Sequence, residues 1–199
     1  MPTNKITWPW LGGFFQAEGS IPTPYNLTIA QKDKEPLDMI YDFLVHELPN
    51  TSFTPTYGPY KNKGKGIYYL NIRKGFKKVL TNLYPYLRDE KLIYAHLYLT
   101  TRPSTLPIND EWIVGFWEGD GSIQTGSRNL LVFSQKNPNV LNEIQEHLKY
   151  GKVRLHTNNN SYLHKLAISI NKNNAQRIGE LLSLVRTPPR LEQLKRVLS

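Results

Sequence analysis

Leu11-Gly12-Gly13-Phe14-Phe15-Gln16-Ala17-Glu18-Gly19-Ser20-Ile21 returns in the second half of the chain as Ile113-Val114-Gly115-Phe116-Trp117-Glu118-Gly119-Asp120-Gly121-Ser122-Ile123. Apolar residues fall at helical spacing in both copies (Leu11, Phe14, Phe15; then Ile113, Phe116, Trp117), and Gly19 or Gly121 follows where a glycine can close a helix. Gly13 and Ala17 stand four apart, as do Gly115 and Gly119, so each segment carries small residues on one face. Such stripes let two helix backbones approach closely. The two segments are expected to be helices packed on each other.

The repeat continues downstream. Asn26-Leu27-Thr28-Ile29-Ala30-Gln31-Lys32 matches Asn129-Leu130-Leu131-Val132-Phe133-Ser134-Gln135-Lys136, with Gln31 aligned to Gln135. Tyr69-Leu70-Asn71-Ile72-Arg73 resembles Lys165-Leu166-Ala167-Ile168-Ser169, and each is followed by a helical stretch expected to end near Pro85 or Pro188. Leu27 and Ile29 alternate with Asn26 and Thr28, and Val153 and Leu155 with Arg154 and His156, the period of half-buried strands. Leu37, Ile40, Tyr41 and Leu44, then Leu141, Ile144 and Leu148, have the spacing of amphipathic helices. The expected fold class is α+β: two pseudo-symmetric units, each running helix, two strands, helix, two strands, helix. Thr101-Arg102-Pro103-Ser104-Thr105-Leu106-Pro107 is a linker by composition, so the units are drawn at 1–100 and 109–199 with 101–108 between them.

Composition narrows the function. Lys and Arg outnumber Asp and Glu by 25 to 16, a net charge of +9, which favours a polyanionic partner. No apolar run approaches the roughly 20 residues of a spanning helix, and the polar start MPTNKITWPW does not read as a signal peptide, so no membrane association and an intracellular location are expected, in a prokaryotic cytoplasm or an organelle. With no cysteine there is no disulfide, thiolate metal site or cysteine nucleophile. The four Trp and most of the twelve Tyr are assigned to core and interface, and the histidines show no metal-ligand spacing.

Each motif helix ends in an acid, Glu18 or Asp120, directly before the glycine. A helix C-terminus is partly negative, so a carboxylate there is disfavoured by roughly several tenths of a kcal/mol unless a cation compensates. Two such ends, side by side, would present hard oxygen ligands suited to Mg²⁺, whose other positions are filled by water and phosphate. Metal next to a phosphodiester is hydrolytic chemistry. Glu118, two residues before Asp120, points elsewhere on a helix and is expected to be solvated or paired with a base.

The segments LGGFFQAEG and IVGFWEGDG resemble the two copies of the LAGLIDADG motif in single-chain homing endonucleases, and the downstream repeats extend the likeness over nearly the whole chain. The resemblance implies two αββαββα units, a saddle of antiparallel strands astride DNA, and Mg²⁺-dependent cleavage of both strands across the minor groove with short 3′ overhangs; Mn²⁺ or Ca²⁺ would substitute for binding. It implies Glu18 and Asp120 as essential metal ligands, with the adjoining Ala17 and Gly119 in the metal site. Gln31 and Gln135 would order the attacking water, and Lys74 and Lys172 would be basic residues near the scissile phosphates. The chain departs from the motif in having Glu18 rather than Asp, and Gly12 or Val114 at the second position. An intron-encoded enzyme is the genetic context the family implies; a protein-splicing element is disfavoured because Met1 and the end Val197-Leu198-Ser199 lack its nucleophile and His-Asn pair.

Base readout is expected from Asn26, Thr28, Tyr69, Asn71 and Arg73 in one half and from Gln124, Arg128, Arg154, His156 and Lys165 in the other, with Lys32 and Lys136 also on DNA. Lys61, Lys63 and Lys65, among glycines, read equally as a flexible hairpin tip or as phosphate contacts. Because the halves differ at these places, a long asymmetric duplex target bound by a monomer is expected. The alternative is an RNA maturase, or a cleavage-inactive DNA-binding protein, on the same scaffold.

Overall fold

A computed structural model describes residues 5–49, 66–158 and 161–198. The first motif forms helix α1 (Trp8–Glu18). The Thr7 side chain caps it, accepting from the Trp10 N–H at 3.4 Å. Its chain then runs through β1 (Gly19–Thr23), β2 (Asn26–Gln31), α2 (Glu35–Glu47), β3 (Tyr68–Ile72), α3 (Phe76–Leu83) and a 3-10 turn at Tyr84–Tyr86 into α4 (Asp89–Tyr98). The second motif forms α5 (Asp110–Asp120), capped in the same way by the Asn109 side chain accepting from the Trp112 N–H at 2.9 Å. After it come β4 (Ser122–Gln124), β5 (Leu130–Gln135), α6 (Asn139–Leu148), β6 (Lys152–Asn158), β7 (Ser161–Ser169), α7 (Ala175–Leu182) and α8 (Pro188–Leu198).

From α5 to α7 the second half reproduces the expected seven elements. In the first half one strand, β3, stands between α2 and α3 among the described residues, and 50–65 lie outside them. Both halves go one helix further than the sequence pattern suggested, with α4 and α8. Pro188 opens a helix instead of ending one, because at a first helical position its missing N–H costs nothing and its φ is already helical.

Helices α1 and α5 cross at the centre and bury Trp10, Phe14, Phe15, Trp112, Phe116 and Trp117 almost completely. Their small residues are required by contact. A Cβ on Gly13 would stand 1.9 Å from the Trp112 carbonyl oxygen, and one on Gly115 2.0 Å from that of Trp10. Further along, a Cβ on Gly119 would be 2.5 Å from that of Ala17. Gly12 makes room in turn for Tyr86 of the 3-10 turn.

The glycines closing the motifs differ from expectation. Gly19 (φ −80°) and Gly121 (φ −89°) are extended, without the left-handed turn of a glycine cap. They are glycine because a Cβ would strike an aromatic ring one turn back, Phe15 at 2.3 Å or Trp117 at 2.1 Å.

Each half carries an antiparallel sheet, ordered β1-β2-β3 and β4-β5-β7-β6. In the first, Leu27 pairs with Ile72 and Ile29 with Leu70 on the core face, leaving Thr28 opposite Asn71 and Ala30 opposite Tyr69 on the other. In the second, Leu131 pairs with Ile168 and Phe133 with Leu166 toward the core, while Leu130, Val132 and Ser134 face away opposite Ser169, Ala167 and Lys165. Helices α2 and α6 bury Leu37, Ile40 and Leu44, and Leu141, Ile144 and Leu148, respectively. Val153 packs against the core, but Leu155 is exposed, because β6 is an edge strand and its far end passes the cover of the helices. Among the described residues no helix is long and apolar enough to cross a membrane.

Candidate active site

The crossing of α1 and α5 brings Glu18 and Asp120 to one pocket of about 630 Å³, which Gln31, Lys32, Gly119 and Arg190 also line. Burial pushes the Glu18 carboxyl up to about 7, and the negative charge of Asp120 adds to the rise. Lys91, Arg190 and a hydrogen bond from Gln31 pull it back. Asp120 exposes an edge to solvent at the pocket mouth, yet protein surrounds it closely enough that burial raises its carboxyl too, against the opposing charges of Arg190 and Lys91.

The compensating cations come from the two helices that the repeat pattern did not announce. Lys91 on α4 donates to the Phe15 and Gln16 carbonyls at 2.8 and 2.6 Å, with its ammonium 5.6 Å from the Phe15 ring centre. Arg190 on α8 donates to the Glu118 and Gly119 carbonyls at 3.1 and 3.4 Å, with its guanidinium 5.1 Å from the Trp117 ring centre. Lys91 thus joins the Gly19 N–H on the Phe15 carbonyl and takes that of Gln16, Arg190 takes those of Glu118 and Gly119, and each cation neutralises part of a motif helix dipole. Burial lowers Lys91 to about 8 and lowers Arg190 as well; Glu18 and Asp120 oppose both shifts. The helix ends therefore already have protein cations, and it is the two acids beside them that remain short of positive charge.

Behind the acids, matching residues fix the registry of α4 and α8. Gln16 is buried and accepts from the Arg88 N–H at 3.0 Å. Glu118, its counterpart, is 3% exposed and accepts from the Trp10 indole at 2.8 Å, the Arg186 N–H at 2.9 Å and the Thr187 N–H at 2.7 Å. This overturns the expectation of a solvated or base-paired Glu118. The helical spacing does turn it away from Asp120, but what lies on that side is the core and the start of α8. The Arg186 guanidinium reaches Glu111 at 2.6 Å and the Thr7 hydroxyl at 3.2 Å, and that hydroxyl donates to Glu111 at 2.7 Å.

Gln31 ends β2 and bonds Glu18, whereas Gln135 ends β5 opposite His164 and does not line the pocket. Lys74 and Lys172 are exposed in the turns before α3 and α7, also outside the pocket lining. The cations next to the two acids are instead Lys91 of α4 and Arg190 of α8, and of this pair it is Arg190 that lines the pocket. A weak signal existed: Leu87-Arg88 and Val185-Arg186 each precede a basic residue by a few positions. Ala17 and Gly119 lie against each other at the crossing, with the Gly119 carbonyl already accepting from Arg190.

Of the anticipated DNA-contact residues, Asn26, Thr28 and Asn71 are linked on one sheet face: the Asn26 amide donates to the Thr28 hydroxyl at 3.1 Å, and that hydroxyl to the Asn71 carbonyl oxygen at 2.8 Å. Tyr69 shares that face and Arg73 is exposed beyond β3. Arg154 pairs with Lys165 and His156 with Leu163 on the second sheet, where Gln124 and Arg128 are exposed nearby. Lys32 lines the pocket and Lys136 is exposed beyond β5. Lys61, Lys63 and Lys65 lie outside the described residues. No group of three or more His, Cys, Asp or Glu suited to a metal occurs among the described residues; the carboxylates that line the pocket as possible donors are Glu18, Asp33, Asp120 and the buried Glu118, the last already held by three donors.

No protein-family model matches the chain, and no curated protein matches it by sequence. Solved structures do. The LAGLIDADG homing endonuclease I-GzeII, in complex with a DNA target, superposes with a TM-score of 0.59 at 14% identity, over 94% of this chain and 87% of that one. I-DmoI in complex with DNA and Ca gives 0.59 at 16% identity, over 95% and 96%. The I-SmaMI homing endonuclease bound to cleaved DNA gives 0.53 at 13%, over 96% and 87%. With both motif helices crossed at the centre and a sheet on each flank, the chain has the fold of the LAGLIDADG homing endonucleases.

Proposed function

We propose that the chain is a site-specific double-strand DNA endonuclease, using a divalent metal to hydrolyse one phosphodiester on each strand across the minor groove and leave short 3′ overhangs. The observation that carries this reading is the convergence of Glu18 and Asp120, one from each repeat, on a single pocket, with Lys91 and Arg190 beside them. The solved structures of like fold, being complexes with DNA, support the choice of substrate. Both acids belong to one chain, which suits a monomer acting on a long asymmetric site. Units at 1–100 and 109–199, an intron-encoded origin and an intracellular location belong to the same reading.

The donor set fits magnesium, which takes one or two carboxylates and leaves its other positions to water and phosphate oxygens. Held by Glu18 and Asp120, such an ion would lower the pKa of an attacking water and offset charge on the phosphate. The chain's own part is then to keep both carboxylates ionised and fixed. Lys91 and Arg190 favour the charged forms and hold the helix ends. Gln31 orients Glu18 and can position water beside it, while Arg190, which lines the pocket, would face charge that develops on the phosphate and Lys91 supports the acids from behind.

The test is a nicking assay on a duplex library with Mg²⁺ against EDTA. Glu18→Gln and Asp120→Asn proteins should bind DNA as the parent does and lose cleavage by roughly a hundredfold or more. Unchanged cleavage by either variant would remove the assignment.

A further inference from the structure

The two sheets offer different chemistry at matching positions of their outward faces. Ser20 pairs with Thr28 and Ser122 with Val132, so Thr28 corresponds to Val132, and by the same register Asn26 to Leu130 and Asn71 to Ala167. The first sheet thus presents amide and hydroxyl groups joined by hydrogen bonds. The second presents Ala167 exposed, Leu130 half-buried and Val132 buried. These three form the apolar floor of a groove of about 730 Å³. Arg128, Lys152, Arg154 and Lys165 line the same groove and no carboxylate does.

We infer that the second sheet reads thymine methyl groups in the DNA major groove, with Ala167 and Leu130 in contact and the surrounding cations on the flanking phosphates. The inference rests on the DNA-binding reading above and goes beyond it in naming the base chemistry. The charge of the rim selects a polyanion. Gln124, His156, Ser169 and Asn171 offer hydrogen bonds elsewhere along the groove, but a base edge lying on Ala167 and Leu130 themselves and offering only donors and acceptors would lose water there and gain no bond in return. Thymine alone among the four bases carries a methyl group on that edge. Uracil lacks it, so the same floor disfavours RNA. Asn26, Thr28 and Asn71 on the first sheet have the opposite preference, for hydrogen-bonding edges.

The experiment begins with selection of bound duplexes from a randomised library by the full chain. In the selected site each thymine is then replaced by deoxyuracil, one position at a time, and affinity is measured. Replacements within one half of the site should weaken binding roughly fourfold per methyl, and those in the other half should leave it unchanged. In the protein, Leu130→Asn and Ala167→Asn import the residues of the first sheet at equivalent positions and should abolish the uracil penalty. A 5-methylcytosine at a sensitive position should restore part of the affinity lost on replacing thymine by cytosine. Duplex binding with no methyl dependence, or with dependence spread evenly over both halves, overturns this inference and leaves the nuclease reading standing. Failure to select any duplex overturns both. The uracil series uses the unaltered protein, so its outcome does not depend on the variants folding.

Discussion

The two motif helices share a backbone plan and differ in how they are charged. At the end of α1 the buried residue behind the acid is Gln16, holding one main-chain N–H, and the cation is a lysine. At the end of α5 the buried residue is Glu118, holding two main-chain N–H groups and an indole, and the cation is an arginine. The comparison teaches that the symmetry here is one of shape. Contacts set by backbone approach are duplicated closely, while those set by side-chain ionisation have diverged, so paired substitutions should have equal effects at the first kind of place and unequal effects at the second.

The largest effects should be symmetric. Gly13→Ala and Gly115→Ala each drive a methyl into a carbonyl of the opposite helix and force the backbones apart, at a cost of about 3 kcal/mol or more. Urea denaturation should find the two variants similarly crippled; one tolerated and one not would break the shape symmetry. Next comes the pair that should differ. Glu118→Ala leaves three donors without an acceptor and should cost about 4 kcal/mol, whereas Gln16→Ala leaves one and should cost about 1 to 2 kcal/mol. Equal losses would mean that the buried charge adds nothing.

The smallest effect concerns a cluster that only the second half has described at its helix start, where Asp110 of α5 meets Arg177 at 2.6 Å and His147 at 2.9 Å. The Arg177 hydrogen bonds hold the Asp110 carboxyl below its ordinary value, against a partial opposing effect of burial. A depressed folded-state pKa contributes stability that is complete above the unfolded value and disappears as pH falls through the folded one. Asp110→Asn should therefore cost about 1 kcal/mol at neutral pH, discounted for partial exposure, and the gap to the parent should begin to narrow as pH falls below the ordinary value of 3.8 and close only below the depressed one. A series of thermal melts from pH 7 into acid would measure both; a gap that does not narrow as pH falls below 3.8 would mean the loss is one of packing.

What the sequence made legible follows from what a repeat can report. Small residues facing each other at Gly13 and Gly115 leave a pattern because backbone contact tolerates nothing else, and the alternation of Leu27 and Ile29 records a core face directly. Helices α4 and α8 left little trace. Much of α4 is exposed and apolar at once, as at Ile93 and Leu97, so it has no clear amphipathic period, and α8 begins on two prolines, which read as a stop and not as a start. Lys91 and Arg190 were hidden with them. Glu118 illustrates a different limit: helical spacing says which way a side chain points, but whether that direction holds water or core depends on the rest of the fold. At Gly19 and Gly121 the residue type was read correctly and its cause was not, since a crowded ring and a left-handed turn both demand the absence of a Cβ.

The link from Arg186 to Thr7 spans almost the whole chain. During synthesis the first motif helix emerges before the groups that seal its start and hold its indole: Glu118, which accepts from the Trp10 indole, comes 108 positions after it, and Arg186, which reaches Thr7, comes 179 positions after that residue. The nascent N-terminal half must wait with an apolar helix uncovered until α5 and the segment leading into α8 have been made, and until then it is open to aggregation.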